Sequence, residues 1–385
     1  MDFTFSEEMK MMQATMRKFV EKECLPVERE LCYKNPDWVE LPEEIHRDLV
    51  TKVKKAGLWA LSVPEKYGGL ELDPLTVCLL RVEQSKTTIG TAHYNPFGGD
   101  PPGILYSCTE AQKEKYLLPV IRGEKRTAMG NTEPGAGSDA AAIATSAIKK
   151  GDKWILNGRK LFSTMADRAD FVFITAVNDK EKKGNGGITM FMVDKGTPGF
   201  TVERQVEVIR PQYSTEISLD NVEVPESQVL GQVGYGFHLF QEWANHGRIM
   251  MAASCLGRCE RAFKLALAHS KQRVTFGQPL SKRQAIQWML VDSAIEMKQT
   301  WLMMLECAWK LTQKMDARNE TAMLKLFATE MAFRVLDRAI QIHGGMGLTK
   351  ELPLERWFRE VRVMRIVEGA SEIQRFVIAR NLLRD

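Results

Sequence analysis

The segment RIVEGASEIQRFVIAR, Arg365 to Arg380, places the ionisable side chain of Glu368 just before a predicted amphipathic helix. Ser371 and Gln374 fit an S-x-x-Q capping box, so we expect the helix to begin near Glu372 and Glu368 to lie in the loop before it. A carboxylate at the entrance to a buried environment is either a helix-entry residue with a satisfied partner or a base held in a dry pocket. The residues of this segment leave both interpretations open.

A second segment, NTEPGAGSDAAA, Asn131 to Ala142, has glycines that let a ligand approach the backbone closely. Thr132 and Ser138 offer hydroxyl donors beside them. The segment is either a ligand-binding loop or a linker between domains. It matches neither a P-loop nor a GxGxxG turn after a strand, which disfavours those nucleotide-binding modes.

Two further segments have residue types that suit a phosphate-bearing ligand. KQRVTFGQPLSKRQ, Lys271 to Gln284, combines cations with an aromatic ring, which suits a phosphate joined to a planar ring or, equally, a solvated basic loop. QIHGGMGLTKELPLERWFRE, Gln341 to Glu360, interrupts a helix with three glycines. One glycine is enough to cap a helix, so the others indicate backbone amides exposed to a ligand.

Helices at both ends of the chain would position these segments. Residues 1–125 have apolar residues at helical spacing, with Ser6 and Thr109 as candidate N-caps. Residues 236–385 return to the same period over much longer stretches, which is typical of a helical bundle. We interpret the Met and Trp stripes of these long helices as core packing.

The middle of the chain, residues 126–235, has strand-length apolar runs separated by glycines, and Asn157-Gly158 predicts a hairpin between two of them. The predicted fold class is therefore α+β, with an N-terminal helical domain, a central antiparallel β domain and a C-terminal four-helix bundle.

Composition excludes several classes of protein. A formal charge of +4 over 385 residues disfavours bulk electrostatic binding of nucleic acid, and no apolar run is long enough to span a membrane. The N-terminus lacks the basic and apolar regions of a secretory signal. Seven cysteines without a CxxC pair indicate a reducing compartment, and six scattered histidines give no support to a metal site.

The four segments, in this order on a helix–sheet–helix chain, resemble the acyl-CoA dehydrogenase family over essentially the whole sequence. TEPGAGSD resembles the family motif at the start of its β domain, and RIVEGASEIQR resembles the segment that holds the catalytic glutamate. The resemblance implies FAD-dependent α,β-dehydrogenation of an acyl-CoA thioester to the 2-enoyl-CoA. Glu368 would be the base that removes the α-proton while hydride passes from Cβ to the flavin.

The resemblance also implies binding residues, carried over position by position. The implied cofactor-binding residues are Thr132, Ser138, Phe162, Thr164, Arg273, Phe276, Gln284, Gln341, Gly344 and Gly345. The implied substrate-binding residues are Ser138, Asn245, Arg248 and Gly369. Some family members carry the base on the middle helix immediately before the arginine that is here Arg248, but that position is Gly247 in this chain.

The resemblance further implies that Arg273 and Phe276 reach the flavin of a neighbouring subunit, so we expect a homodimer or homotetramer. An electron-transfer flavoprotein is the expected electron acceptor. We expect no metal, no nucleic acid and no membrane span, and a cytoplasmic location, or the mitochondrial matrix in a eukaryote.

Two other functions compete with this one. The first is an acyl-CoA oxidase or another flavin-dependent enzyme on the same fold. The second is a non-enzymatic nucleic-acid-associated protein, which Glu355 and Glu360 disfavour because they interleave with the C-terminal arginines. The sequence leaves the acyl chain open. Asp100 or Tyr94 in the 93–103 loop either contacts a ring-bearing or polar acyl group or belongs to a solvated loop.

Overall fold

Helices form both ends of the chain and strands form its middle. The structure is a computed structural model that describes residues 4–35, 37–92, 95–210 and 212–384. The predicted α+β class, with helical units on either side of a β unit, is confirmed. The domain boundaries at 125/126 and 235/236 stay predictions.

Two of the N-terminal helices begin at side-chain caps that the sequence predicted. Ser6 accepts a hydrogen bond from the backbone N–H of Met9, and Thr109 forms a reciprocal capping box with Gln112. Single 3-10 or π turns lie between several of the N-terminal helices. The helices are α1 Glu7–Phe19, α2 Leu25–Lys34, α3 Glu43–Lys55, α4 Pro74–Gln84, α5 Thr88–Thr91, α6 Glu110–Gln112 and α7 Leu118–Arg122.

Seven strands form one sheet in the order β1-β4-β2-β3-β7-β6, with β5 paired to β4. The strands are β1 Thr127–Gly130, β2 Ser146–Lys150, β3 Lys153–Thr164, β4 Phe171–Val177, β5 Ile188–Asp194, β6 Phe200–Glu207 and β7 Tyr213–Pro225. The sheet is mainly antiparallel, as predicted, but β4 runs parallel to β1 and to the end of β2. The long 131–145 loop and the β2–β3 hairpin separate β1 from β4, which gives the chain room for the crossover that parallel pairing needs.

The predicted hairpin at Asn157-Gly158 is also wrong. The turn between β2 and β3 is at Gly151-Asp152, where Lys150 pairs with Lys153 and Gly151 has a φ of +63°. Asn157 and Gly158 lie inside β3, at an irregularity in its pairing with β7. A Cβ added to Gly158 would come within 2.4 Å of the Thr145 hydroxyl. The lack of a side chain at Gly158 therefore lets β3 pack closely against the segment around Thr145, and no turn is involved.

Three long helices form the centre of the C-terminal unit. The elements of this unit are α8 Gly236–Gln272, the short strands β8 Val274–Thr275 and β9 Gln278–Pro279, α9 Gln284–Thr312, α10 Arg318–His343, α11 Leu354–Met364 and α12 Ser371–Leu382. Among the described residues, no helix combines the length and the apolarity that crossing a membrane requires.

Only some of the Met and Trp side chains that were predicted to pack in the core are buried. Met304, Met331 and Trp357 are fully buried in the core of the bundle, as expected. Trp288 and Trp309, both on α9, are 60% and 41% exposed. One face of α9 is therefore apolar and uncovered in the single chain.

Candidate functional site

Glu368 lies in the short connection between α11 and α12, outside the helix as predicted. Its φ is +54°, in the left-handed region, and Gly369 follows with a φ of +93°. A residue with a Cβ is strained there by about 1–2 kcal/mol, so the surrounding contacts must impose this conformation.

Three side chains from three different helices hold this connection. The Arg248 Nε donates a hydrogen bond of 2.9 Å to the carbonyl oxygen of Glu368. The Gly369 carbonyl accepts one of 2.8 Å from the Lys325 Nζ and one of 2.9 Å from the Gln374 Nε2. Each such bond contributes about 1 kcal/mol, so together they offset the backbone strain.

The predicted capping box of α12 is wrong, although the helix begins close to the expected residue. Ala370 is the N-cap, and it contributes no side-chain bond. Gln374 uses its amide to donate to the Gly369 carbonyl, and the Ser371 hydroxyl donates to a carboxylate oxygen of Glu330 on α10 at 2.8 Å. Partners from elsewhere in the fold thus compete with the local cap.

The carboxylate of Glu368 occupies a dry environment. Its Oε2 is shielded from solvent and has no hydrogen-bond partner among the described residues, while the residue as a whole is half-buried. Burial raises the pKa of Glu368 to about 7, against the lowering effect of Lys325, Arg248, Arg210 and Arg81. A carboxylate with this pKa is suited to proton transfer at neutral pH.

Sequence reasoning missed Lys325, which is fully buried. Burial lowers the pKa of its ammonium group to about 8, although Glu368 opposes that shift. The sequence held a partial signal, because spacing places Lys325 on a helical stripe, but that spacing does not show what its ammonium group meets. Lys325 follows Thr321 by four residues and precedes Ala332 by seven, and both are buried on the same stripe of α10.

Gly247 lies directly against the carboxylate. A Cβ added to Gly247 would be 2.2 Å from the Glu368 Oε2. Positions 247 and 368 are therefore adjacent in space, and the Glu368 carboxylate in this place needs a residue without a side chain at 247.

The TEPGAGSD loop between β1 and β2 is anchored by a buried ion pair that sequence reasoning also missed. The Lys160 Nζ lies 2.7 Å from a carboxylate oxygen of Glu133, which also accepts the backbone N–H groups of Ala144 and Thr145. Burial lowers the pKa of Lys160 to about 8. This anchor leaves the side chain of Ser138 exposed at the surface of the loop.

Thr132, Phe162 and Thr164 are brought together beside this loop. The Thr132 carbonyl accepts the backbone N–H of Leu161 at 2.8 Å. Phe162 has a φ of +57°, at an irregularity of β3, and its side chain is 52% exposed. Thr164 lies on the same strand, with its hydroxyl 3.5 Å from that of Ser214. The ring of Phe162 thus offers an uncovered aromatic face.

The other predicted cofactor residues form a second group at one end of the bundle. The rings of His269 and His343 stack with centroids 4.6 Å apart, which joins the end of α8 to the end of α10. This group consists of Arg273, Phe276, Gln284, Gln341, Gly344 and Gly345. No hydrogen bond or ion pair between described residues links it to the group around Thr132 and Phe162.

Of the predicted substrate residues, Arg248, Asn245 and Gly369 lie beside Glu368. The Arg248 Nη1 donates to the Asn245 side-chain oxygen at 2.7 Å while its Nε donates to the backbone carbonyl of Glu368. Arg248 therefore positions Glu368, a role that the sequence did not predict.

The 93–103 loop is described only in part, and Tyr94 lies outside the described residues. The Asp100 carboxylate accepts hydrogen bonds from the backbone N–H groups of Leu61 and Ser62 and from the Ser62 hydroxyl. These bonds give Asp100 a structural role in joining two loops. Among the described residues, no His, Cys, Asp and Glu side chains group in threes where they could hold a metal ion.

Comparison with known proteins identifies the family. Family models for the N-terminal, middle and C-terminal domains of acyl-CoA dehydrogenases match residues 6–124, 128–222 and 234–383. The chain belongs to the acyl-CoA dehydrogenase family. The suspected resemblance is thus confirmed, and with it the assignment of the protein as an oxidoreductase of this family.

Two curated relatives cover almost the whole chain. The (R)-benzylsuccinyl-CoA dehydrogenase of Thauera aromatica is 40% identical, over 100% of this chain and 98% of the relative. The subunit CarC of the caffeyl-CoA reductase-Etf complex of Acetobacterium woodii is 35% identical, over 99% of each chain.

Two solved structures share the fold. The butyryl-CoA dehydrogenase of Megasphaera elsdenii has a TM-score of 0.88 and 32% identity over 100% of both chains. The structure of PigA with FAD and proline has a TM-score of 0.90 and 26% identity over 99% of both chains.

The first prediction concerns the space beside the base. Substituting Gly247→Ala places a Cβ where the Glu368 carboxylate lies, so that carboxylate must move. We expect kcat to fall by about 100-fold with FAD retained, because a displacement of about 1 Å at a reacting group costs this much. Steady-state kinetics and flavin absorbance measure the two quantities. Gly103→Ala, in open space, is the matched control. An unchanged kcat would contradict the assigned position of Glu368.

The second prediction concerns the charge of Lys325. This cation lowers the pKa of Glu368, so Lys325→Met should raise that pKa further, and activity that requires the carboxylate should begin at higher pH. We expect the acidic limb of the kcat/KM profile to move upward by about one pH unit. Lys325→Arg keeps the charge and should show a smaller shift. Lys34→Met, which removes an exposed cation, should show none. A downward shift would disprove the argument.

Proposed function

We propose that the protein is an FAD-dependent acyl-CoA dehydrogenase that converts an acyl-CoA thioester to the 2-enoyl-CoA, with Glu368 as the base. The observation that carries the proposal is the shielded, unpartnered carboxylate oxygen of Glu368, whose pKa burial raises to about 7. Free glutamate has a pKa of about 4.3 and is too weak a base for a thioester α-hydrogen, so burial supplies the basicity that the reaction needs.

The residues present fit a bound flavin. Phe162 offers a half-exposed ring beside Thr132 and Thr164, and the positions of Gly344 and Gly345 have open space where a Cβ would stand. Thr132, Ser138, Phe162 and Thr164 would hold the ring region of FAD. The residues of the second group would bind the FAD of a neighbouring copy, which agrees with their separation from Phe162 within one chain. When bound, FAD supplies the acceptor for the hydride that leaves Cβ.

The chain itself supplies the proton transfer and the stabilisation of charge. The Glu368 Oε2 takes the α-proton, and its carboxylate becomes neutral as negative charge develops on the thioester carbonyl oxygen. The backbone N–H of Glu368 makes no hydrogen bond to any other described residue, so it is free to donate to that oxygen. Lys325 and Arg248 add positive charge close to the same point.

The substrate contacts follow the same geometry. Asn245, Arg248 and Gly369 lie beside the base, and Ser138 lies on the exposed side of the TEPGAGSD loop. We propose that these residues line the path of the CoA thioester into the site. The named relatives act on different acyl groups, so family membership alone leaves the acyl group unassigned.

The third prediction tests the base. We expect Glu368→Gln to retain FAD but to reduce flavin bleaching by acyl-CoA thioesters by at least about 100-fold, because it removes a general base and keeps the side-chain shape. Anaerobic titration with straight, branched and ring-bearing thioesters, followed by flavin absorbance, measures this. Glu372→Gln, in the exposed first turn of α12, is the matched control and should bleach normally.

Two results of this titration would contradict the proposal. Bleaching by Glu368→Gln at the wild-type rate would exclude Glu368 as the base. Bound FAD that no thioester bleaches would exclude dehydrogenation of the tested acyl groups. Repeating the wild-type reaction in air separates the oxidase alternative, because an oxidase consumes oxygen as fast as it consumes substrate.

We further propose that the protein assembles from several copies through α9. Trp288, Ile295, Leu302 and Trp309 recur every seven residues on this helix and are 38–60% exposed. A stripe of this kind is typical of a helix that packs against another helix. Phe276, which is 97% exposed, would reach the flavin of the neighbour.

The fourth prediction tests this assembly. A glutamate introduced on the stripe would be buried without a partner, so Ile295→Glu should reduce the molar mass in light scattering and lower FAD occupancy. Leu70→Glu replaces an exposed leucine outside α9 and should change neither. A monomeric wild-type protein that binds FAD fully would contradict the proposal.

The electron acceptor that we propose is an electron-transfer flavoprotein. The name of CarC places that relative in a complex with such a protein. Reoxidation of the reduced enzyme by a purified electron-transfer flavoprotein, measured without oxygen, tests this partner. The cytoplasmic location expected from the sequence stays a prediction.

A further inference from the structure

Arg81, on α4, is a cation without an anionic partner. Its Nε is shielded from solvent and unpartnered, and the guanidinium makes no hydrogen bond or ion pair with any described residue. Nη1 and Nη2 are also unpartnered, but they are not shielded, so the fork of the guanidinium faces accessible space. Burial lowers the pKa of Arg81 to about 10, because removal from water disfavours the charged form of the guanidinium.

Two carboxylates act electrostatically on Arg81, those of Asp100 and Glu368. The Asp100 carboxylate accepts its hydrogen bonds from Leu61 and Ser62 instead. Neither carboxylate forms an ion pair with Arg81 among the described residues, so the guanidinium has no directly bound anion.

Arg81 belongs to the surroundings of the base. It is among the four cations that lower the pKa of Glu368. Burial is the main cause that lowers the pKa of His246, and the charge of Arg81 lowers that pKa further. Its helix is held tightly against α8, because a Cβ on Gly257 would be 2.1 Å from the Val82 carbonyl oxygen. Arg81 thus lies on a helix packed against α8, the helix whose Gly247 contacts the Glu368 carboxylate.

This location restricts which anion Arg81 can meet. The phosphates of CoA are separated from the thioester by the pantetheine arm, and those of FAD are separated from the flavin ring by the ribityl chain. An anion beside Glu368 therefore belongs to the acyl group. A guanidinium fork matches a carboxylate, which it binds through two parallel hydrogen bonds.

We propose that Arg81 binds a carboxylate on the acyl group, so that the substrate is a CoA thioester of a dicarboxylic acid. The inference rests on the proposed function, because Glu368 as the base defines where the acyl group lies. A buried arginine that only stabilises charge during the reaction would act on every thioester alike. Arg81 instead distinguishes acyl groups that carry a second carboxylate from those that do not.

The fifth prediction measures binding separately from turnover. The Glu368→Gln holoenzyme is titrated with thioesters of equal length that differ in a terminal carboxylate, namely succinyl- and butyryl-CoA, glutaryl- and valeryl-CoA, and adipyl- and hexanoyl-CoA. Perturbation of the flavin spectrum reports binding. We expect one dicarboxylic thioester to bind about 10- to 100-fold more tightly than its uncharged match, the range for a hydrogen-bonded charge.

The variants decide the role of Arg81. In the same background, Arg81→Gln should abolish the preference and leave the Kd of the uncharged thioester within about threefold. Arg81→Lys keeps the charge without the fork and should retain part of the preference, which also covers the case in which the glutamine variant fails to fold. Arg47→Gln, which removes an exposed arginine of α3, should change nothing.

Two outcomes would overturn the inference. One is that the Glu368→Gln holoenzyme, which retains Arg81, binds each uncharged thioester as tightly as its dicarboxylic match or more tightly. The other is an equal loss of affinity for both members of each pair in Arg81→Gln, which would give Arg81 a general role. Flavin bleaching by the protein with Glu368 intact tests the proposed function independently. An Arg81-dependent preference without bleaching would support the binding site and reject dehydrogenation.

Discussion

The structure depends on keeping one carboxylate ionisable in a place that excludes water. Glu368 gains its raised pKa from burial, yet burial alone would keep it protonated and inactive as a base. The cations around it limit that effect, so the pKa stays near neutrality. The site is therefore a balance between desolvation, which strengthens the base, and positive charge, which keeps enough of it ionised.

This balance needs a precise backbone, and the bundle provides it. Left-handed residues at 368 and 369 turn the chain so that the carboxylate meets Gly247 on α8. Arg248, Lys325 and Gln374 come from three helices and bind the two carbonyl oxygens of this turn. Arg248 and Lys325 thus both hold the strained backbone and lower the pKa of Glu368, so a change in helix packing would alter both the position and the pKa of this carboxylate.

The β unit contributes an exposed aromatic surface to the candidate site. The buried Glu133–Lys160 pair fixes the TEPGAGSD loop beside β3, where the ring of Phe162 is uncovered. Breaking such a pair by removing one partner leaves a buried charge unpaired, at a cost of about 3–5 kcal/mol. The helical bundle and the sheet thus contribute different parts of the candidate site. The bundle holds the carboxylate that we propose as the base, and the sheet offers an aromatic face that suits a planar cofactor.

The sequence by itself determined the order of helices and strands, the caps at Ser6 and Thr109, and the place of Glu368 outside a helix, because these depend on local periodicity and on side chains a few residues apart. The four motifs, in their order along the chain, also indicated the family.

Tertiary structure decided the rest. It moved the hairpin turn from Asn157-Gly158 to Gly151-Asp152 and made β4 parallel to β1, because strand pairing depends on residues far apart in the chain. It also gave Ser371 a distant partner, Glu330, in place of a cap, and it brought the charges of Lys325 and Arg81 to bear on Glu368 from two other helices. A lysine or arginine in a helical stripe has the same local pattern whether it meets solvent, an ion pair or a substrate, and only packing determines which of these it meets.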